Sequence, residues 1–151
     1  MIRLGLVAVA ACVVAAGAAW QLRRRLVSVT VVGHSMLPAY RPGDHVVVRR
    51  GVVPPPGGVV VVEQPDTRTR SWPVPPAGLG SRRQPVAGRQ WLVKRVAAGP
   101  GGLWTTPAGV AERVPPGHVL LLGDNADVSF DSRQMGPFPV ERVLGAVWLR
   151  L

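Results

Sequence analysis

A mainly β domain behind one N-terminal transmembrane helix is the fold class that this sequence predicts, on three observations. The chain is rich in Gly and Pro (18 and 16 of 151 residues) and only 17% charged, a mixture that favours short strands joined by many turns. Its β-branched runs are brief, and each is closed by a Gly- or Pro-bearing stretch. Residues 4–20 form an unbroken apolar run that ends at Trp20 and is followed by Arg23-Arg24-Arg25.

That first run predicts an anchor over residues 1–25. Seventeen helical residues span about 26 Å, slightly short of a hydrocarbon core of roughly 30 Å. Leu22 and snorkelling arginines bring it within range, with Trp20 and the arginine cluster as the interfacial end. Ala16-Gly17-Ala18 offers the competing reading of a cleavable leader, but the apolar run reaches that site without a polar break. The bias of positive charge toward the cytoplasm would place the three arginines, and everything after them, inside the cell.

The domain proper is expected over residues 26–151. Residues 27–32 read as a strand, and Arg41-Pro42-Gly43-Asp44 as a turn, with Pro presetting φ and Gly accepting a positive one. Residues 45–49 and 59–63 read as the second and third strands. Residues 64–89 are polar, dense in Pro, Gly and Arg, and without periodicity, which predicts a mobile loop or hairpin insertion. Further strands are expected at 91–97, 119–122 and 143–149, with a small hairpin at 104–112 around Pro107-Ala108-Gly109.

The net charge of +10 fits nucleic acid or an anionic membrane surface. The arginines are not gathered on one helix and aromatic residues are few, so no nucleic-acid partner is expected. Cys12 is the single cysteine, which leaves no intrachain disulfide, and His34, His45 and His118 lack metal-ligand spacing. Neither a metal nor another cofactor is expected.

Lys94 is the only lysine; the other seventeen cationic side chains are arginines. A guanidinium stays protonated in proteins, whereas an ammonium in apolar surroundings can lose its proton and act as a base. Leu92, Val93 and Val96, with Met36, offer such surroundings. A solvated surface lysine is the plain alternative. Ser35 is the candidate nucleophile, because it sits at a predicted bend where free backbone amides can stabilise an oxyanion. His34 is adjacent and badly placed as its base. His45 or His118, oriented by Asp44 or Asp124, could complete a triad, although the Gly-x-Ser-x-Gly elbow is absent. A Ser–Lys pair is the third option, and at fifty-nine residues' separation the two must meet across strands. In Gly123-Asp124-Asn125 through Arg133, acids crowd into a chain with few of them; they can pair with Arg95 and Arg133, and Ser129 can hold the amine.

Gly33-His34-Ser35-Met36-Leu37-Pro38, Arg41-Pro42-Gly43-Asp44, Val93-Lys94-Arg95-Val96 with Gly99-Pro100-Gly101, and Gly123-Asp124-Asn125 through Ser129, Asp131-Ser132-Arg133 and Gly136 follow one another in order. Together they resemble the sequence boxes of the type I signal peptidases, membrane-bound Ser–Lys proteases. The resemblance implies a signal-peptidase-like β-barrel or sheet, with Ser35 attacking the scissile carbonyl and Lys94 as general base. It implies that Ser129 orients the lysine, that the Ser35 amide serves the oxyanion, and that Met36 lies near a pocket for small residues. Arg95, Asp124, Asp131 and Arg133 match the bracing residues. The implied partners are precursors bearing signal or leader peptides and the lipid bilayer, with the catalytic domain on the extracytoplasmic face. Gly33 stands where many relatives carry a hydroxyl that helps form the oxyanion hole, Ala126 replaces a common arginine, and Gly102 replaces an Asp. The compact size also suits a maturation protease for one dedicated precursor. A self-cleaving repressor of the related clan would leave the membrane run unexplained. A non-catalytic β module that binds membrane or a partner is the rival from another class.

Overall fold

The computed structural model describes residues 12–14, 16–17, 25–78 and 86–151. Seven strands form one antiparallel sheet: β1 (Leu26–Thr30), β2 (His45–Arg50), β3 (Val59–Glu63), β4 (Trp91–Ala98), β7 (His118–Leu122), β8 (Phe138–Pro139) and β9 (Val143–Arg150). Two more, β5 (Leu103–Thr105) and β6 (Ala111–Arg113), make a separate hairpin. The order across the large sheet is β1-β2-β9-β3-β4-β7-β8. Register shifts between Val47 and Val48, Val61 and Val62, and Val96 and Ala98 increase the local twist, and the sheet curls into a half-barrel.

The mainly β class is as expected. The expected anchor falls largely outside the described residues: 12–14 and 16–17 are helical, and among the described residues no helix is long and apolar enough to cross a membrane.

The all-valine run of β3 explains its central place. Strand residues alternate in direction, and every residue of β3 is buried. Val59 and Val61 pack with Val31, Met36, Val46, Val48, Val93 and Leu144. Val60 and Val62 pack with Val96, Val119, Leu121, Phe138 and Val143. A strand buried on both faces has no need of polar alternation. The β5–β6 hairpin rests through Trp104 on a third small cluster of Ala98, Val114 and Leu120.

Within the stretch expected as a loop or insertion, residues 64–78 and 86–90 are held by specific contacts, and 79–85 lie outside the described residues. A bridge between Asp66 and Ser71 closes a turn. The Trp72 indole donates to the Glu63 carbonyl at 3.1 Å and meets the Phe138 ring edge-on, with 6.1 Å between centroids. Arg142 stacks over Trp72 and donates to Glu63 Oε2 at 3.0 Å and to the Val74 carbonyl at 2.7 Å. Arg89 pairs with the other Glu63 oxygen and donates to the Pro75 carbonyl. One carboxylate thus staples both arms of the segment to the end of β3.

Candidate active site

Lys94 lies in the middle of β4, paired across the sheet with Val60. It is 1% exposed and, among the described residues, one of the largest fully buried side chains. Alternation puts Leu92 and Val96 on its side of the strand, while Val93 and Met36 pack in the other cluster. Its amine donates to Ser129 Oγ at 2.8 Å. Burial pushes the lysine pKa down, against the pull of Asp131, to about 8. A little under a tenth of such amines would be neutral at pH 7, against fewer than one in a thousand for an ordinary lysine near 10.4.

Ser129 hands the interaction on, its hydroxyl donating to Asp131 Oδ2 at 2.6 Å. Asp131 is completely buried. Burial alone would push its carboxyl up, yet Arg133, the Gly123 amide and Ser129 together bring it down to about 2. Arg133 donates through Nε to Oδ1 at 2.9 Å and through Nη2 to Oδ2 at 2.7 Å, the two-pronged geometry a guanidinium offers a carboxylate. The same Asp131 caps the one-turn helix Ser132–Met135: its side chain accepts from the Arg133 amide while Gln134 reaches back to the Asp131 amide, a capping box. Ser132, also buried, accepts from the Leu121 amide at 2.9 Å and ties this turn to β7.

Ser35 sits on the turn after β1, half-buried, just after Gly33, whose φ of +82° is a conformation that a side chain resists. Its carbonyl accepts from the Asn125 amide at 3.0 Å. Gly123 fits where the two segments touch: a Cβ there would run into Ser129 Oγ and come within 2.6 Å of the Ser35 carbonyl oxygen. Ser129 and the Ser35 carbonyl thus both lie against the bare face of one glycine. Among the described residues no hydrogen bond joins the Ser35 hydroxyl to Lys94; the amine's bond goes to Ser129.

Of the remaining site candidates, Met36 is buried next in sequence to Ser35. Arg95 and Asp124 form a second two-pronged pair at 2.7 and 2.6 Å, and Arg95 also donates to the Gly57 carbonyl at 2.7 Å. This pair braces β4 against the start of the 123–133 segment but does not touch Lys94. The triad alternatives are not assembled: His45 bonds Thr30 at 3.2 Å, His118 bonds the Pro116 carbonyl at 3.0 Å, and Asp44 closes the 41–44 turn.

Sequence reasoning missed Gly123 and Asn125 as contacts of the Ser35 segment, and Gln134 as half of a capping box. The last was visible as Asp-x-x-Gln. The first two depend on which loop lies across from which, and no local pattern carries that.

A buried lysine held by a Ser–Asp–Arg relay, with a second serine on a bend across one glycine, defines a class of site built around an amine that can become neutral. The sequence pattern of the family "Signal peptidase, peptidase S26" matches residues 4–103 and 104–151, and the chain belongs to that family. It is 53% identical over 32 residues to thylakoidal processing peptidase 1, chloroplastic, of Arabidopsis thaliana, a stretch covering 21% of this chain and 9% of that protein. Over 50 residues it is 44% identical to mitochondrial inner membrane protease subunit 1 of Xenopus tropicalis, covering 31% and 30%. The Schizosaccharomyces pombe protein of the same name is 35% identical over 72 residues, covering 43% and 46%. The matched stretches thus span under half the length of these relatives.

Proposed function

We propose that this chain is a membrane-anchored serine endopeptidase that cleaves signal or leader peptides after small residues, with Ser35 as nucleophile and Lys94 as general base. The observation that carries the reading is the buried Lys94 amine, brought down to about 8 and held by Ser129. Donating one hydrogen to Ser129 leaves the lone pair of the neutral amine free for another partner, and the Ser35 carbonyl and Ser129 both lie against Gly123.

In the first step the Ser35 oxygen bonds to the scissile carbonyl carbon, its proton passes to Lys94 Nζ, and the carbonyl electron pair moves onto oxygen. The Ser35 amide stabilises that oxyanion. Collapse expels the new N-terminus of the mature segment, which takes the proton from Lys94. A water then repeats the sequence on the acyl-serine and frees the enzyme. Met36 lines the adjoining small-residue pocket, and the Arg95–Asp124 pair holds β4 in place.

Residues 4–20 anchor the chain, with the catalytic domain on the extracytoplasmic face where exported precursors emerge. The test is cleavage of a leader-bearing precursor in membranes, with the mature N-terminus read by mass spectrometry. Ser35→Ala and Lys94→Arg are each expected to abolish cleavage while circular dichroism shows a folded domain. The arginine keeps charge and approximate reach but cannot supply a neutral base. Retained cleavage in either variant sinks the dyad. A C-terminal reporter active only outside the cytoplasm is expected to be active; silence there overturns the topology.

A further inference from the structure

One residue outside the relay grips the nucleophile segment twice. Asn125 donates through its main-chain amide to the Ser35 carbonyl at 3.0 Å, and through its side-chain amide to the His34 carbonyl at 3.2 Å. These carbonyls belong to consecutive peptide units. The first unit joins His34 to Ser35, so its other polar end is the Ser35 N–H. A peptide unit is planar; fixing the direction of the His34 carbonyl therefore fixes the direction of the Ser35 N–H, which points the opposite way.

That N–H is free. Among the described residues no acceptor pairs with it, whereas the neighbouring amides of Leu37 and Tyr40 are occupied by the carbonyls of His34 and Met36. The Leu37 bond to the His34 carbonyl, 3.2 Å long, ties the turn only to itself. Asn125 supplies the link to the segment that carries Ser129. Its side chain has no competing duty as a cap: it precedes the 3-10 turn Ala126–Val128 without making a side-chain cap bond there. Gly33 offers no hydroxyl that could share the load, and its positive φ leaves the turn entry conformationally permissive.

We infer that Asn125 is a positioning residue for the oxyanion site: its side-chain amide orients the His34–Ser35 peptide so that the Ser35 N–H faces the developing negative charge. The inference rests on the proposed Ser35 chemistry. When the Ser35 oxygen attacks and its proton moves to Lys94, the electron pair arriving on the substrate oxygen needs a donor already aimed at it, and re-aiming a loose peptide during the step would cost rate. Asn125 acts through that peptide and does not touch the substrate. Loss of its side-chain bond should therefore raise the barrier and leave ground-state binding alone.

The experiment uses the full chain in membranes or detergent, with a leader-peptide substrate and a peptide aldehyde of the same sequence. The aldehyde's adduct with Ser35 carries the oxyanion. Asn125→Ala removes the donor, and Asn125→Asp keeps the shape while replacing the donor by an acceptor; the main-chain bond survives in both. Each is expected to lower kcat by about ten- to a hundred-fold, below the loss for a direct oxyanion donor, with KM within about two-fold. Affinity for the aldehyde should fall in parallel with kcat, and Asn125→Gln should restore part of both. A loss confined to KM, an unchanged aldehyde affinity, or two variants that no longer fold would each overturn the inference. Failure of the underlying reading looks different: the unmodified protein would not cleave, or Ser35→Ala would cleave as well as it does.

Discussion

At Lys94 an amine sits where water does not reach, and the free energy of that placement shows itself as pH dependence. Its pKa falls from 10.5 to about 8, and each unit is worth ~1.4 kcal/mol. Between those two values the unfolded chain binds more protons than the native one, so stability rises with pH through the window from 8 to 10.5. Below pH 8 the whole penalty of roughly 3 kcal/mol is present. Replacing Lys94 by Met is therefore expected to raise stability at pH 7 by about 1–3 kcal/mol and to flatten that slope. Urea denaturation at pH 7 and pH 10 measures both, and an unchanged or lower stability would mean that the amine is well solvated. For cleavage the proposed role of the neutral amine as base predicts a rate that climbs as pH rises toward about 8. For Asp131 the ionised form is the stabilised one: with its pKa lowered from 3.8 to about 2, it contributes about 2 kcal/mol above pH 4, lost as pH falls through 2.

Elements matter here mainly as carriers that bring far-apart residues to one place. β4 delivers the lysine, β7 runs into Gly123, and the capped turn after it returns Ser129 and Asp131 to the lysine. Gly123 leaves no room for a side chain between Ser129 and the carbonyl of Ser35. Gly123→Ala is expected to destabilise the fold by about 1–3 kcal/mol through overpacking and to lower cleavage at least ten-fold by separating the two serines. Thermal melts and precursor assays read the two effects, and a variant with normal melting and normal cleavage would refute the contact. Most strands were legible in the sequence because their β-branched runs stop at Gly or Pro: β3 matches its predicted bounds, and β2, β4, β7 and β9 extend theirs by one residue. The first strand ends at Thr30, two residues before the predicted limit, because Val31 already pairs outward with Asp44 and Gly43 at the turn. The Ser–Asp–Arg relay was legible as residue types in one segment, but its order, lysine to Ser129 to Asp131, depends on how that segment folds back. Trp72 and Ala77 were hidden for a related reason. They lie in an aperiodic, proline-rich stretch, and the partners that bury Trp72, Phe138 and Arg142 among them, are far away in sequence.

For the molecule as a whole, Glu63 has a reach beyond its strand. It is 3% exposed and meets both Arg89 and Arg142, so it joins β3, both arms of the 64–90 segment and the turn before β9. Glu63→Ala is expected to cost about 3–5 kcal/mol, because it removes the shared carboxylate partner of two largely buried guanidinium groups. Chemical denaturation measures the loss; a change under 1 kcal/mol would show that water reaches the cluster. Proteolytic nicking between residues 66 and 90 should speed up in the same variant, since the staple holds that segment down.

The strand order has a consequence in time. β9 is the last strand in the chain, yet it lies between β2 and β3 near the middle of the sheet, paired with both. Without β9 no strand pairing joins the β1–β2 pair to the β3–β4 pair. Ser35 lies in the connection between β1 and β2 and Lys94 lies in β4, so the sheet links the strands that carry them only when β9 is in place. The residues of the candidate site are therefore not brought together by the sheet until β9 has docked between the two pairs.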